Sequence, residues 1–191
     1  MPAWDVTLTV PVMKATYALG SVIDLDSSVV DSLGTSSKVS VTNIVGILQD
    51  TTMVGDSTGD GLTDRWVDAT TAEKVTAATA FVEFRNGIPG TLRVKLAMLD
   101  ATGSVLFWVP GALGDSLLVE VPEIVNGDVV APRLTRTSLE LSPTAIHQLN
   151  RVAHVAYVIA AETPADQSVN VNLNDQVVMR SWAEMTYRVG Q

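Results

Sequence analysis

Alternating apolar and polar residues recur along the chain and predict β-strands with one face in the core. Residues 4–10 and 168–173 alternate strictly. An apolar run at 152–160 predicts a strand buried on both faces, and further strands are predicted at 38–49, 65–69, 116–121, 129–140 and 176–189. Pro11 predicts an edge or the end of the first strand, because proline cannot donate to a ladder.

Turn residues separate these strands. The residues Asn86-Gly87-Ile88-Pro89-Gly90 predict a hairpin between strands at 79–85 and 91–99, and 100–103 predicts a second hairpin into 104–109. Asn126-Gly127-Asp128 and Asn174-Asp175 predict two more turns. Ser142-Pro143 is the one helix start, a capping residue followed by proline, and it predicts a short helix to Asn150.

The fold class predicted from this pattern is all-β: a single jelly-roll β-sandwich or barrel of about eight to ten strands with one short helix. A β-rich binding module is the competing architecture. We expect one domain over 1–191 with short terminal arms. Residues 24–37 and 186–191 are the predicted contacts with other subunits, because they are polar or lie at the end of a strand.

Composition supports strands and suggests a habitat. The chain has 29 valines and 20 threonines among 191 residues, and β-branched residues favour strands. Its net charge of -9 argues against nucleic-acid binding. Asp outnumbers Glu and Arg outnumbers Lys, a bias typical of high-salt proteins, although ordinary acidic solubility explains it too. Only 17% of residues are charged, which favours a chain with large faces buried between subunits.

Chemistry that depends on cysteine is excluded, since the chain has none. His147 and His154 are seven residues apart and are expected to be partly buried structural residues rather than metal ligands. The start Met1-Pro2-Ala3-Trp4-Asp5 predicts no secretory signal, and no apolar stretch approaches the ~20 residues of a membrane helix.

One loop resembles a calcium site. Residues 56–64 match part of the calcium loop of dockerins and thrombospondin-type repeats, with Gly61 at the sharp turn and five candidate ligands: Asp56, Thr58, Asp60, the Leu62 carbonyl and Asp64. Val67 stands where a bidentate carboxylate is expected. A hydrated surface loop is the alternative, and no other cofactor is predicted.

Two further groups of residues have functional alternatives. An acid and base pair of a glycosidase could come from Glu83, Glu120, Glu123 and Glu140, although solvated strand positions explain them equally. A sugar-stacking platform could come from Trp4, Trp66, Trp108 and Trp182, although core or subunit contacts are commoner roles. We expect no enzymatic activity.

In size, strand pattern, charge bias and absence of cysteine, the chain resembles the small major capsid protein of the tailless, icosahedral, internal-membrane viruses of halophilic archaea. The resemblance implies a virion protein whose upright single jelly-rolls join a larger major capsid protein in pseudo-hexameric capsomers. It also implies assembly in the host cytoplasm and contacts with an internal membrane or membrane-associated virion proteins, with no nucleic-acid partner.

The alternative function is a monomeric Ca²⁺-dependent carbohydrate-binding β-sandwich, for which the 56–64 loop and the tryptophans are the supporting features. A jelly-roll enzyme of the cupin type is the third possibility. It needs a cluster of metal-binding histidines, and two separated histidines do not provide one.

Overall fold

The computed structural model describes residues 4–18, 38–41, 45–53, 73–111, 115–163, 168–172 and 174–189. The longer strands among them are β1 (Trp4–Ala18), β3 (Val45–Met53), β4 (Val75–Asn86), β5 (Thr91–Leu99), β6 (Val105–Val109), β10 (Arg133–Glu140), β11 (His154–Glu162) and β13 (Gln176–Val189). The shorter ones are β2 (Lys38–Val41), β7 (Leu117–Val119), β8 (Glu123–Val125), β9 (Asp128–Ala131) and β12 (Val169–Asn172).

The eight longer strands form two antiparallel sheets. Sheet 1 has the order β1-β13-β4-β10, and sheet 2 has the order β3-β11-β5-β6, with the short β7 also paired to β5. When the eight longer strands are numbered from 1 to 8 in chain order, sheet 1 has the order 1-8-3-6 and sheet 2 has the order 2-7-4-5. These two sheets face each other, which is the arrangement of a jelly-roll. The all-β jelly-roll prediction is therefore confirmed.

The two sheets enclose one main core. Val82 and Phe84 of sheet 1 pack in the same cluster as Val94 and Tyr157 of sheet 2, and each of these is at most 1% exposed. A second cluster at one end joins Val75 and Met185 of sheet 1 to Ile146 and Leu149. Because inward residues alternate with outward ones, each sheet is left with an outer face.

The short helix is confirmed. It spans Pro143–Gln148 (α1) and continues as a 3₁₀ turn over Leu149–Arg151. The Ser142 hydroxyl accepts a hydrogen bond from the Ala145 N–H at 3.2 Å, so the predicted cap begins the helix. Ala145 and Ile146 are its buried residues, and Ile146 packs in the second cluster.

One predicted hairpin is wrong. The strands and the turn at 86–90 are present, but β4 pairs with β13 and β10, whereas β5 pairs with β11, β6 and β7. The turn therefore carries the chain from one sheet to the other. The second predicted hairpin is confirmed, because β5 and β6 pair directly.

Side-chain hydrogen bonds of a buried asparagine hold this crossing turn. Asn86 is 0% exposed, and its Nδ2 donates to the Gly90 carbonyl at 2.8 Å and to the Glu120 carbonyl at 3.1 Å. Its Oδ1 accepts from the Ile88 N–H at 2.9 Å. The side chain thus satisfies backbone groups that no strand partner reaches at this corner.

Strand boundaries differ in three other places. The predicted strand at 129–140 is two strands, because β9 pairs with β8 and β10 pairs with β4. The predicted strand at 38–49 is two strands in different sheets: β2 pairs with β12, and β3 pairs with β11. The first strand does not end at Pro11. Instead β1 runs on to Ala18 as an edge strand, so the edge alternative predicted from Pro11 is confirmed. A register shift between Pro11 and Met13 accommodates the proline. Residues 186–189 are the end of β13, and residues 24–37 lie outside the described part of the chain.

Candidate functional site

The outer face of sheet 1 carries an aromatic pair among polar residues. Phe81 of β4 and Trp182 of β13 are direct cross-strand partners, and their rings stack with centroids 5.2 Å apart and planes 4° from parallel. Both side chains are half-buried. Since neighbouring inward residues such as Val82 and Ala183 are buried, the pair lies on the face that points away from the core.

A groove lies beside this pair. It has a volume of about 300 Å³ and is lined by Phe81, Val82, Arg136, Thr137, Ser138 and Trp182. Ser138 is the β10 partner of Phe81, and its small side chain leaves the space above β10 open. Because the two rings stack on each other, each has one face covered by its neighbour.

Charged residues occupy the next position along the strands. Arg136 Nε donates to Glu83 Oε2 at 2.6 Å, with the arginine side chain 69% exposed and the glutamate 15% exposed. Arg180 is the β13 partner of Glu83 and is exposed. The aromatic pair is therefore bordered by two guanidinium groups and one carboxylate.

Two of the four glutamates proposed as an acid and base pair are held in ion pairs, and Glu123 is exposed on β8. Glu83 pairs with Arg136, and Glu120 Oε2 accepts from Arg133 Nε at 2.7 Å. Glu140 shares the outer face with Glu83, but its β4 partner is Thr79, four residues from Glu83. That offset is roughly 13 Å, beyond the ~5–9.5 Å that separates glycosidase carboxyl groups.

The predicted tryptophan platform is not formed by the tryptophans whose side chains are described. Trp182 lies on sheet 1, whereas Trp108 pairs with Ala97 in sheet 2. The backbone of Trp4 begins β1, and Trp66 lies outside the described residues. Trp182 instead pairs with Phe81, which the sequence analysis did not single out. The sequence pattern could have identified Phe81, because it alternates with the buried Val82 and Phe84 and therefore lies on the same face of β4 as Glu83 and Arg85.

The histidines and the calcium loop have different outcomes. His147 is exposed on α1, so its predicted partial burial is wrong, whereas His154 at the start of β11 is half-buried as predicted. The candidate calcium ligands Asp56, Thr58, Asp60, Leu62 and Asp64 all lie outside the described residues, and this site stays a prediction. Within the described residues, no group of three or more His, Asp or Glu side chains is placed to hold a metal ion.

A second cavity, of about 310 Å³, lies where the β8–β9 hairpin approaches the turn before β13. Arg85, Val129 and Asp175 are among its lining residues. Partial burial raises the pKa of the Asp175 carboxyl to about 6, and the negative charge of Asp128 acts in the same direction. The Asn172 N–H, which donates to Asp175 Oδ2 at 2.8 Å, opposes the rise.

No helix among the described residues has the length and apolar character needed to cross a membrane.

Comparisons with known proteins give similarity in fold. No protein-family model matches the chain, and no curated protein matches it. A solved structure of a protein from Parabacteroides distasonis ATCC 8503 matches with a TM-score of 0.50 at 7% identity, over 79% of this chain and 40% of that one. The solved chain is about twice as long as this one, and at that identity the match supports the fold alone.

Two other solved structures are similar at a lower level. The VP2 subviral particle of infectious bursal disease virus matches with a TM-score of 0.36 and 6% identity, over 96% of this chain and 33% of that one. A carbohydrate-binding module of the β-sandwich superfamily matches with a TM-score of 0.31 and 7% identity, over 97% of this chain and 57% of that one. The structural neighbours thus include viral capsid proteins and a carbohydrate-binding module.

Proposed function

We propose that the chain is a structural virion protein, a major capsid protein whose jelly-rolls assemble side by side into a shell. One observation carries the proposal: the outer face of sheet 1 presents the stacked pair of Phe81 and Trp182 beside an open groove. Aromatic side chains of this size contribute most when another surface removes them from water. Assembly would complete their burial.

Further features of the described surface support a role in assembly. Five large apolar side chains are about half exposed: Val105, Leu118, Val125, Val130 and Leu134. They lie on both sheets and on the β8–β9 hairpin, and the charged fraction of the chain is only 17%. A surface of this kind suits a protein with neighbours on several sides. The jelly-roll serves viral capsids, lectins and cupins alike, so the fold by itself selects none of these.

The finer proposal follows the resemblance described above. The chain joins a larger major capsid protein in pseudo-hexameric capsomers above an internal membrane, in the virion of a virus from a high-salt environment, and it carries no catalytic activity. The excess of Asp and Arg and the net charge of -9 support the high-salt part, because molar salt screens the repulsion between acidic copies.

A Ca²⁺-dependent carbohydrate-binding module is the second candidate, and the groove at Phe81 favours it. Ser138 and Arg136 supply hydrogen-bonding groups beside an aromatic ring, as a sugar site requires. The stacking opposes it, because Phe81 and Trp182 each cover one face of the other, whereas sugar stacking needs an open ring face.

Light scattering of the purified chain in molar salt, with and without Ca²⁺ and then after dialysis to low salt, tests the proposal. We expect large oligomers or ready association in molar salt that dissociates at low salt, and electron microscopy then shows whether shells form. If the chain alone is monomeric, co-expression with the larger capsid protein is expected to recruit it into particles.

A monomer in every condition, with or without the partner, contradicts the proposal. A monomer whose melting temperature rises with Ca²⁺ supports the carbohydrate-binding module instead. The Asp56→Ala and Asp60→Ala variants are the matched controls, since they remove candidate calcium ligands and change no residue of the strands of sheet 1.

A further inference from the structure

The outer face of sheet 1 is organised in rows that run across the strands. The register places Ser138, Phe81 and Trp182 side by side, and we call this the aromatic row. On one side of it lies the arginine row, formed by Arg136, Glu83 and Arg180. On the other side lies the glutamate row, formed by Glu140, Thr79 and Glu184.

The charges of the two flanking rows are opposite. The arginine row has two arginines and one glutamate, and that glutamate is already bonded to Arg136. The glutamate row has two carboxylates and a threonine. Rows on one face are two residues apart, so each charged row lies about 7 Å from the aromatic row, at equal distances on either side.

This symmetry makes the face complementary to itself. We infer that the outer face of sheet 1 packs against the same face of a second copy, about a two-fold axis that runs along the aromatic row. The rotation places Arg180 opposite the second copy's Glu184, and Arg136 opposite the second copy's Glu140. Phe81 and Trp182 then meet their own counterparts at the axis, as in any isologous contact.

Only one orientation of the axis gives this match. A two-fold axis parallel to the strands would bring arginine row against arginine row and glutamate row against glutamate row, which is repulsive. The axis across the strands pairs opposite charges at four positions. Sheets that pack face to face are about 10 Å apart, a gap that an arginine and a glutamate side chain bridge together.

The area available makes the contact weak on its own. Three strands about 5 Å apart and three rows about 7 Å apart give the described face roughly 300 Å². A standard interface buries about 800 Å² on each partner. Weak pairwise contacts suit a shell, in which many of them act together. The inference deepens the proposed self-assembly and rests on it.

Cross-linking of single-cysteine variants tests the axis, and the chain is well suited because it has no cysteine of its own. In a Ser138→Cys variant the new thiol lies on the axis and faces its own copy. A short bis-maleimide that spans the ~10 Å between facing sheets is therefore expected to give a covalent dimer. Glu140→Cys is the matched control, since position 140 lies off the axis and faces Arg136.

Charge reversal tests the pairing in a second, independent way. Arg180→Glu and Glu184→Arg each bring like charges together at two symmetric places, and each is expected to weaken self-association by about tenfold or more. The double variant restores opposite charges and is expected to return to near the original affinity. Sedimentation velocity over a concentration series measures all four chains at the lowest salt concentration that still supports association, because higher salt screens the charge pairs.

The outcomes separate the inference from the proposed function. Association that continues unchanged in both single reversals, or equal cross-linking at 138 and 140, overturns the two-fold face and leaves self-assembly standing. A chain that never associates overturns both. A monomer that binds an immobilised polysaccharide, and loses that binding in Trp182→Ala, assigns the face to a glycan instead. Arg93→Glu, at an exposed position on the outer face of sheet 2, controls for a general change in surface charge.

Discussion

Two turns of the molecule use the same side-chain chemistry for different purposes. At 86–90, the Asn86 Oδ1 accepts the Ile88 N–H at 2.9 Å, and at 100–104 the Asp100 Oδ1 accepts the Thr102 N–H at 2.9 Å. The first turn is buried and takes the chain from sheet 1 to sheet 2, whereas the second is exposed and closes the β5–β6 hairpin.

The difference lies in what else each side chain reaches. Asn86 also donates to two carbonyl groups, one of them at Glu120, far along the chain. The Asp100 carboxylate accepts hydrogen bonds from Thr102 and Ser104 of its own turn, and a looser ion pair joins it to Arg151 at 3.8 Å. A turn that changes sheets is thus fixed by hydrogen bonds to distant backbone, and a hairpin turn by local ones.

The largest effect is expected from Asn86→Ala. The substitution leaves the Gly90 carbonyl, the Glu120 carbonyl and the Ile88 N–H without their partner in a buried place, at a cost of about 4 kcal/mol in the free energy of unfolding. Thermal unfolding should show a fall in Tm of roughly 10 °C for a chain of this length. Asp100→Ala, at the exposed turn, should lower Tm clearly less. An equal fall in Tm for the two variants would contradict the prediction that the buried turn depends more strongly on its side chain.

Glycines in the two turns sharpen the contrast at a smaller scale. A Cβ at Gly90 would lie 2.8 Å from the Glu162 carbonyl oxygen, so Gly90→Ala pushes the start of β5 away from the end of β11 and should cost about 2 kcal/mol. Gly103 has a φ of +83° and open space around it, so Gly103→Ala suffers only backbone strain, about 1 kcal/mol. Chemical denaturation measures the loss of stability in both variants. A larger loss for Gly103→Ala than for Gly90→Ala would contradict the prediction.

The smallest effect concerns the pH response of a third turn. The pKa of Asp175 rises from 3.8 to about 6 on folding, so the folded state binds more protons than the unfolded state between these values. Stability from this group is present at low pH and is lost as the pH rises through about 6. Asp175→Asn should therefore be more stable near neutral pH by about 1 kcal/mol, after allowance for solvent screening, and equal to the parent below the lower pKa.

Asp100 provides the opposite control for that experiment. The Thr102 hydroxyl and the Ser104 N–H lower the pKa of its carboxyl, so its contribution is present near neutral pH and lost in acid. Asp100→Asn should be less stable than the parent, and this loss of stability should be largest at neutral pH. A gain at neutral pH in both variants would contradict the assigned causes.

These turns also show how far the sequence predicts the fold. The residues of 86–90 correctly predict a turn, and the alternation on either side correctly predicts two strands. Which strands pair depends on contacts such as Asn86 with Glu120, which no local pattern reports. The sequence therefore predicts strands, helix cap and fold class, and it assigns a hairpin where the structure has a crossing between sheets.

For a similar reason, the sequence predicts only part of the candidate surface. Trp182 was singled out by residue type, but its partner Phe81 and the charged rows depend on the register of β13 against β4. The sequence shows that Phe81 shares a strand face with Glu83, and Trp182 with Arg180, because the members of each pair are two residues apart. The alignment of β13 beside β4 comes only from the fold.

The interleaved order of sheet 1 has a consequence for how the protein folds. Trp4 pairs with Val189, and β13 lies between β1 and β4. Contacts between such distant parts of a chain form slowly, because a long loop must close first. During synthesis β13 is made after every other described strand, and it carries Arg180, Trp182 and Glu184. The proposed contact face therefore lacks these three residues until the last described strand is made, so nascent chains without β13 do not present it.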